Sequence, residues 1–145
     1  MGVNDRERDL EKIGIERAHK SAKYLRENLN FKLEAWQSSP AKRAQNTAQI
    51  AAEYFENPPE LILNENLYTF AFFDLLKEVK KLDNSLQNVI LFGHNEAFTE
   101  FVNRMGNHYI ENLPTAGVAV IEFPVDDWKN IEKGTTQLII KPKLL

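Results

Sequence analysis

The chain has 145 residues, with 18 Lys and Arg against 21 Asp and Glu and a formal net charge of −3. That length fits one domain with a real core, and 43% hydrophobic and 27% charged residues exclude disorder, collagen and a coiled coil. The charge argues against a nucleic-acid binder, the lack of cysteine excludes disulfides and thiolate catalysis and fits a reducing compartment, and no apolar run nears the roughly 20 residues of a membrane span.

Met1 to Leu10 opens on charged residues, without the apolar stretch of a signal peptide. Ile15, Ala18, Ala22, Leu25 and Leu29 then recur at helical spacing, with Asp9 as the expected N-cap. Leu33–Gln37 reads as a short strand. Ser38-Ser39-Pro40 follows as a helix start, with a Ser N-cap and proline at the first helical position. That helix, rich in small residues such as Ala44, Ala48 and Ala51, is expected to end near Phe55, before Asn57-Pro58-Pro59.

Leu61–Leu63 reads as a second strand, and Phe70–Phe73 as an aromatic turn into a helix through Leu75, Leu76, Val79 and Leu82. Asn88–Phe92 is a third strand whose apolar run predicts burial on both faces. Gly93-His94-Asn95 ends it, before a helix through Phe98, Phe101, Val102 and Met105. Gly117–Phe123 reads as a strand, Asp126–Ile131 as a short helix and Gln137–Lys141 as a last strand. The alternation predicts an α/β fold with a mostly parallel sheet, helices on both faces and ligands at the carboxyl ends of the strands.

Two places carry chemistry. At Ser38–Arg43 a strand end meets a helix N-terminus, where free amides and the helix dipole favour an anion. Arg43, one turn inside, suits a phosphate through its planar fork of donors; the same pattern also describes a capped helix with a solvated arginine. His94 follows a buried-type strand and a glycine, a position for an acid, a base or an anion donor, or simply for a helix cap. His19 reads as a boundary residue of the first helix, His108 as a loop residue near a site rim, and Asp5–Arg8 as a solvated turn. The three histidines have no metal-ligand spacing, and the glycines fit no nucleotide-binding pattern.

Taken together, Asp5-Arg6-Glu7-Arg8-Asp9-Leu10 with Gly14, Ser38-Ser39-Pro40-Ala41-Lys42-Arg43-Ala44 with Thr47-Ala48, Leu67-Tyr68, Gly93-His94-Asn95 and Asn112–Thr115 resemble the histidine phosphatase superfamily. The closer resemblance is to its SixA-like phosphohistidine phosphatases, and it covers essentially the whole chain. It implies a three-layer α/β/α fold of phosphoglycerate mutase type, neither metal nor organic cofactor, and a cytoplasmic enzyme. Its implied substrate is a phosphohistidine-bearing signalling protein, with small phosphate esters as the alternative class. It also implies that a histidine in an Arg-His motif is phosphorylated while arginines and a second histidine clamp the phosphoryl oxygens. By motif match Arg43 is a clamp arginine and His94 the second histidine; Glu65 is a candidate acid at the end of the second strand.

The chain has no Arg-His dipeptide. The motif belongs on a strand ahead of Asp5, so this chain is expected to bind a phosphate-like anion and to lack turnover. Either Met1 is an internal methionine of a longer protein, the favoured reading, or the chain is a non-catalytic binding module. The absent strand is expected between the strands ending at Ser38 and Gly93. A gap there, a direct closure of those strands, or a strand donated in an exchanged oligomer would each accommodate its loss.

Overall fold

The structure, a computed structural model, describes residues 5–145. The described residues form five strands and four α-helices, which alternate except that the last two strands follow each other. Helix α1 (Lys12–Asn28) is followed by β1 (Ala35–Ser38), α2 (Lys42–Ala52), β2 (Leu61–Leu63) and α3 (Phe72–Lys80). Then come β3 (Val89–Phe92), α4 (Asn95–Met105), β4 (Val118–Glu122) and β5 (Thr135–Ile140). Short 3-10 turns cover Asp5–Glu7, Glu65–Leu67, Trp128–Asn130 and Pro142–Leu144.

Strands β2, β1 and β3 form a parallel sheet in that order, while β4 and β5 form a separate antiparallel pair. Alternate side chains of β3 serve opposite faces, as the period of two requires. Ile90 and Phe92 join the Trp36 cluster with Ala22 of α1 and Ala51 of α2. Leu91 joins the cluster of Phe72, Leu75 and Val79 from α3 with Ala97 and Met105 from α4. The sheet is thus sandwiched between two helix layers. Small residues let α1 and α2 approach closely, since Gly14, Ala18 and Ala22 of one and Ala44, Ala48 and Ala51 of the other are buried.

Several boundaries differ from the sequence expectations. Helix α1 begins after Glu11, without a side-chain cap, rather than at Asp9. Helix α2 begins at Lys42, so Pro40 lies ahead of its first turn, and the Ser39 hydroxyl accepts from the Ala41 amide instead of capping the helix. Ala41 keeps a polyproline-like backbone (φ −58°, ψ 135°), so the first helical residue is Lys42. The segment expected as a helix around Trp128 is a single 3-10 turn.

In the sheet, the structure shows one of the three expected arrangements, direct closure. Strands β1 and β3 are direct partners, with Ala35 opposite Val89 and Ser38 opposite Phe92, so no space separates them. The open space lies on the other side of β3, facing β4. All four residues of β3 are only half-buried, contrary to the expectation from their apolar run. That expectation assumed a strand on each side; among the described residues β3 has a partner on one edge only. No helix among the described residues is long and apolar enough to cross a membrane.

Candidate functional site

The carboxyl ends of β1 and β3 lie side by side, which brings Ser39 and His94 together although 55 residues separate them. Gly93 permits the turn out of β3: a Cβ there would stand 2.7 Å from the Phe98 ring. His94 occupies the N-cap position of α4 but makes no side-chain cap bond. Its ring turns instead toward Arg43, which projects from the first turn of α2.

Arg43 Nη2 lies 3.1 Å from His94 Nδ1. A guanidinium cannot accept a hydrogen bond, so Nδ1 must be the acceptor. The neutral ring therefore carries its proton on Nε2, which donates to Ser39 Oγ at 2.9 Å. Ser39 is fully buried and His94 is 4% exposed, so this orientation is held without competition from water. Burial, reinforced by the Arg43 charge, lowers the His94 pKa to about 4 against a partial counter-effect from Asp5. At neutral pH His94 is an uncharged ring with an electron pair directed at the arginine.

Asp5 completes the cluster. Arg43 Nη1 donates to its carbonyl at 2.8 Å, and Nη2 approaches its carboxylate at 3.2 Å. Tyr68 donates its hydroxyl to the same carboxylate oxygen at 2.5 Å. That bond is the main reason the Asp5 pKa is lowered and the Tyr68 pKa raised. The Tyr68 and Phe70 rings stand 5.0 and 5.2 Å from the His94 ring, forming an aromatic wall of which Phe70 is half exposed. An oxyanion could replace the Asp5 carboxylate on Arg43, with the two rings beside it.

The structure thus brings together Arg43 and His94, the two residues singled out from sequence. It does not bring Glu65 to them: this exposed side chain pairs with Arg6 at 2.6 Å. His19 meets the Tyr54 hydroxyl at 2.7 Å, and His108 is exposed after α4. Asp5, read as part of a solvated turn, instead sits on Arg43. Its place in the cluster, with those of Ser39 and Tyr68, depends on contacts across 38 to 63 residues. The only hint in the sequence was their membership of motif segments. Among the described residues no group of His, Asp and Glu is arranged to hold a metal ion.

Fold and cluster together define an α/β protein with a polar site at the carboxyl ends of a parallel sheet, where this class of fold places its ligands. The sequence model of the histidine phosphatase superfamily (branch 1) matches residues 4–76, half of the chain, and the chain belongs to that superfamily. The match contains Arg43 and ends before His94.

Solved structures give the fold over the whole length. The protein histidine phosphatase SixA complexed with tungstate is 17% identical, with TM-score 0.80 over 99% of this chain and 90% of that one. SixA from Agrobacterium tumefaciens is 19% identical, with TM-score 0.79 over 98% and 89%. SixA from Nakamurella multipartitia is 18% identical, with TM-score 0.78 over the same shares. No curated protein sequence matches the chain.

Proposed function

We propose that Arg43 and His94 form the phosphoryl-binding part of a phosphohistidine phosphatase centre. The observation that carries this reading is their 3.1 Å pairing at the carboxyl end of the sheet, beside the exposed Phe70 ring. Arg43 supplies two donors to phosphoryl oxygens, and His94 becomes a third when it takes up a proton. The Phe70 face offers an apolar surface to a flat leaving group such as imidazole, which favours a phosphohistidine on a signalling protein over a small phosphate ester. A cytoplasmic setting suits such a partner.

Hydrolysis in this reading has two transfers. A histidine nitrogen attacks phosphorus as the substrate's P–N bond breaks, and the freed imidazole takes a proton. Water then attacks the phosphorylated histidine, releasing inorganic phosphate and returning the ring. Arg43 stabilises the charge on the transferring group in both steps. His94 is poorly placed as the nucleophile, because one ring nitrogen faces Arg43 and the other is held by Ser39.

The 145-residue chain is therefore expected to bind phosphate and to leave phosphohistidine intact. Calorimetric titration with inorganic phosphate, alongside an assay on a phosphohistidine protein, tests both. Absence of binding contradicts the site, and turnover by this chain contradicts the need for a further histidine.

A further inference from the structure

Tyr68 follows the Glu65–Leu67 turn at the carboxyl end of β2, and its position is well held. The Asn64 amide donates to the Ser38 carbonyl at 2.8 Å, which ties the turn to the end of β1. Leu67 is fully buried, and the Tyr68 amide closes the turn on the Glu65 carbonyl at 3.1 Å. The Tyr68 ring centroid lies 5.0 Å from that of His94, and the Arg6 guanidinium carbon stands 5.3 Å from it. Anchored at its backbone and covered at its ring, the side chain brings its hydroxyl to a fixed place in the site.

That place is shared with the Arg43 fork. The Tyr68 hydroxyl donates to Asp5 Oδ2 at 2.5 Å, and Arg43 Nη2 reaches the same oxygen at 3.2 Å. Arg43 Nη1 holds a second Asp5 oxygen, the backbone carbonyl, at 2.8 Å. One residue thus lays two oxygens on the fork, and the phenol joins one of them. Two oxygens of a phosphoryl group can accept the same three bonds, and a dianion draws these donors more strongly than a single carboxylate charge. Asp5 is replaceable, because its side chain is 45% exposed and an exposed ion pair contributes little. The Tyr68 pKa is raised, chiefly by the bond to Asp5, and another oxyanion in that place keeps the phenol protonated in the same way.

We propose that Tyr68 is a phosphoryl-binding residue, whose hydroxyl donates to the same ligand oxygen as Arg43 Nη2 once the ligand has displaced the Asp5 carboxylate. The proposal rests on the phosphoryl-binding reading of Arg43 and His94. Its rival is a purely structural role, in which Tyr68 only holds Asp5 on Arg43. The two roles differ in sign: a donor to the ligand helps phosphate bind, whereas a clamp on the competing carboxylate hinders it.

Calorimetric titration of inorganic phosphate into four forms of the 145-residue chain separates them: the natural sequence, Tyr68→Phe, Asp5→Ala and the double variant. Tyr68→Phe keeps the ring beside His94 and removes the donor. In the Asp5→Ala background, where the carboxylate no longer competes, it is expected to weaken phosphate binding about 10-fold, the loss of one charge-assisted hydrogen bond. With Asp5 present the loss is expected to be smaller, because the substitution also loosens the competitor. Carbon-13 NMR of the natural sequence, labelled at the tyrosine Cζ carbons, gives a readout without substitution. Of the signals from Tyr24, Tyr54, Tyr68 and Tyr109, one is expected to move as phosphate saturates the site.

Tighter binding in Tyr68→Phe, with no change from the same substitution in the Asp5→Ala background, is the signature of a clamp and overturns the proposal. Saturable binding that Arg43→Ala abolishes, but that moves no tyrosine signal, also overturns it and leaves the reading of Arg43 standing. Absence of phosphate binding in both the natural sequence and Asp5→Ala overturns the phosphoryl-binding reading itself, and the proposal with it.

Discussion

The two sides of β3 differ sharply. Toward β1 the core is shielded from solvent: Trp36 is 1% exposed between Phe55 and Phe92, although its Nε1 has no hydrogen-bond partner, and the strand ends hold Ser39, Arg43 and His94 in one hydrogen-bonded cluster. Toward β4 the walls are apolar and half-exposed, and neither facing edge has a strand partner among the described residues. One strand thus borders a finished core and an open one. The difference teaches that the pairing of Arg43 with His94 does not depend on the open side, because β1, α2 and β3 position it.

The largest expected contrast is in packing. Trp36→Ala should cost about 3–5 kcal/mol in urea unfolding, the range for removing a large buried aromatic residue. A cost no larger than that of a surface substitution would mean the finished side is as loose as the open one. The next effect is in pH. The His94 pKa is lowered to about 4 from an ordinary 6.5, so the unfolded chain binds more protons between those values. Stability from this group is present above pH 6.5 and is lost as pH falls toward 4, by up to about 3 kcal/mol. The loss over that window should be smaller by this amount in His94→Gln, as read by denaturant unfolding at several pH values.

Binding effects come third. Arg43→Ala should weaken phosphate binding by about 10- to 100-fold, the loss of charge-assisted hydrogen bonds. Arg43→Lys should recover only part, since an ammonium lacks the planar fork. Asp5→Asn should tighten phosphate binding by up to about 5-fold, because a half-exposed carboxylate no longer competes for Arg43. The smallest effect sharpens the open side. Val89→Ala should cost under about 1 kcal/mol in the free chain, where the side chain has no closed packing to lose.

The fold was legible in the sequence because alternating helix and strand periods survive without knowledge of their partners. Arg43 and His94 were legible because each follows a strand end closely, where local sequence reports local position. The roles of Asp5 and Tyr68 were hidden, since their meeting is made by the sheet and not by spacing along the chain. The place of the open cavity was hidden for a related reason. Val-Ile-Leu-Phe is the same apolar run whether one edge or both edges of β3 are paired, so the run forecast a burial that its open edge does not supply. The place between β1 and β3 came from the family resemblance, with a gap, direct closure or a donated strand as its outcomes, and the structure shows closure.

The central claim is that Arg43 and His94 hold a phosphoryl group together, and that His94 takes up a proton to do so. The free ring is neutral at pH 7, and its electron pair faces Arg43, the guanidinium that would hold an oxyanion. Calorimetric titration of inorganic phosphate in two buffers of different ionisation enthalpy measures this directly. Saturable binding accompanied by net proton uptake, with both lost in Arg43→Ala and the uptake lost in His94→Gln, is the predicted result. Binding that is unchanged by Arg43→Ala, or that takes up as many protons in His94→Gln as in the natural sequence, would contradict the account.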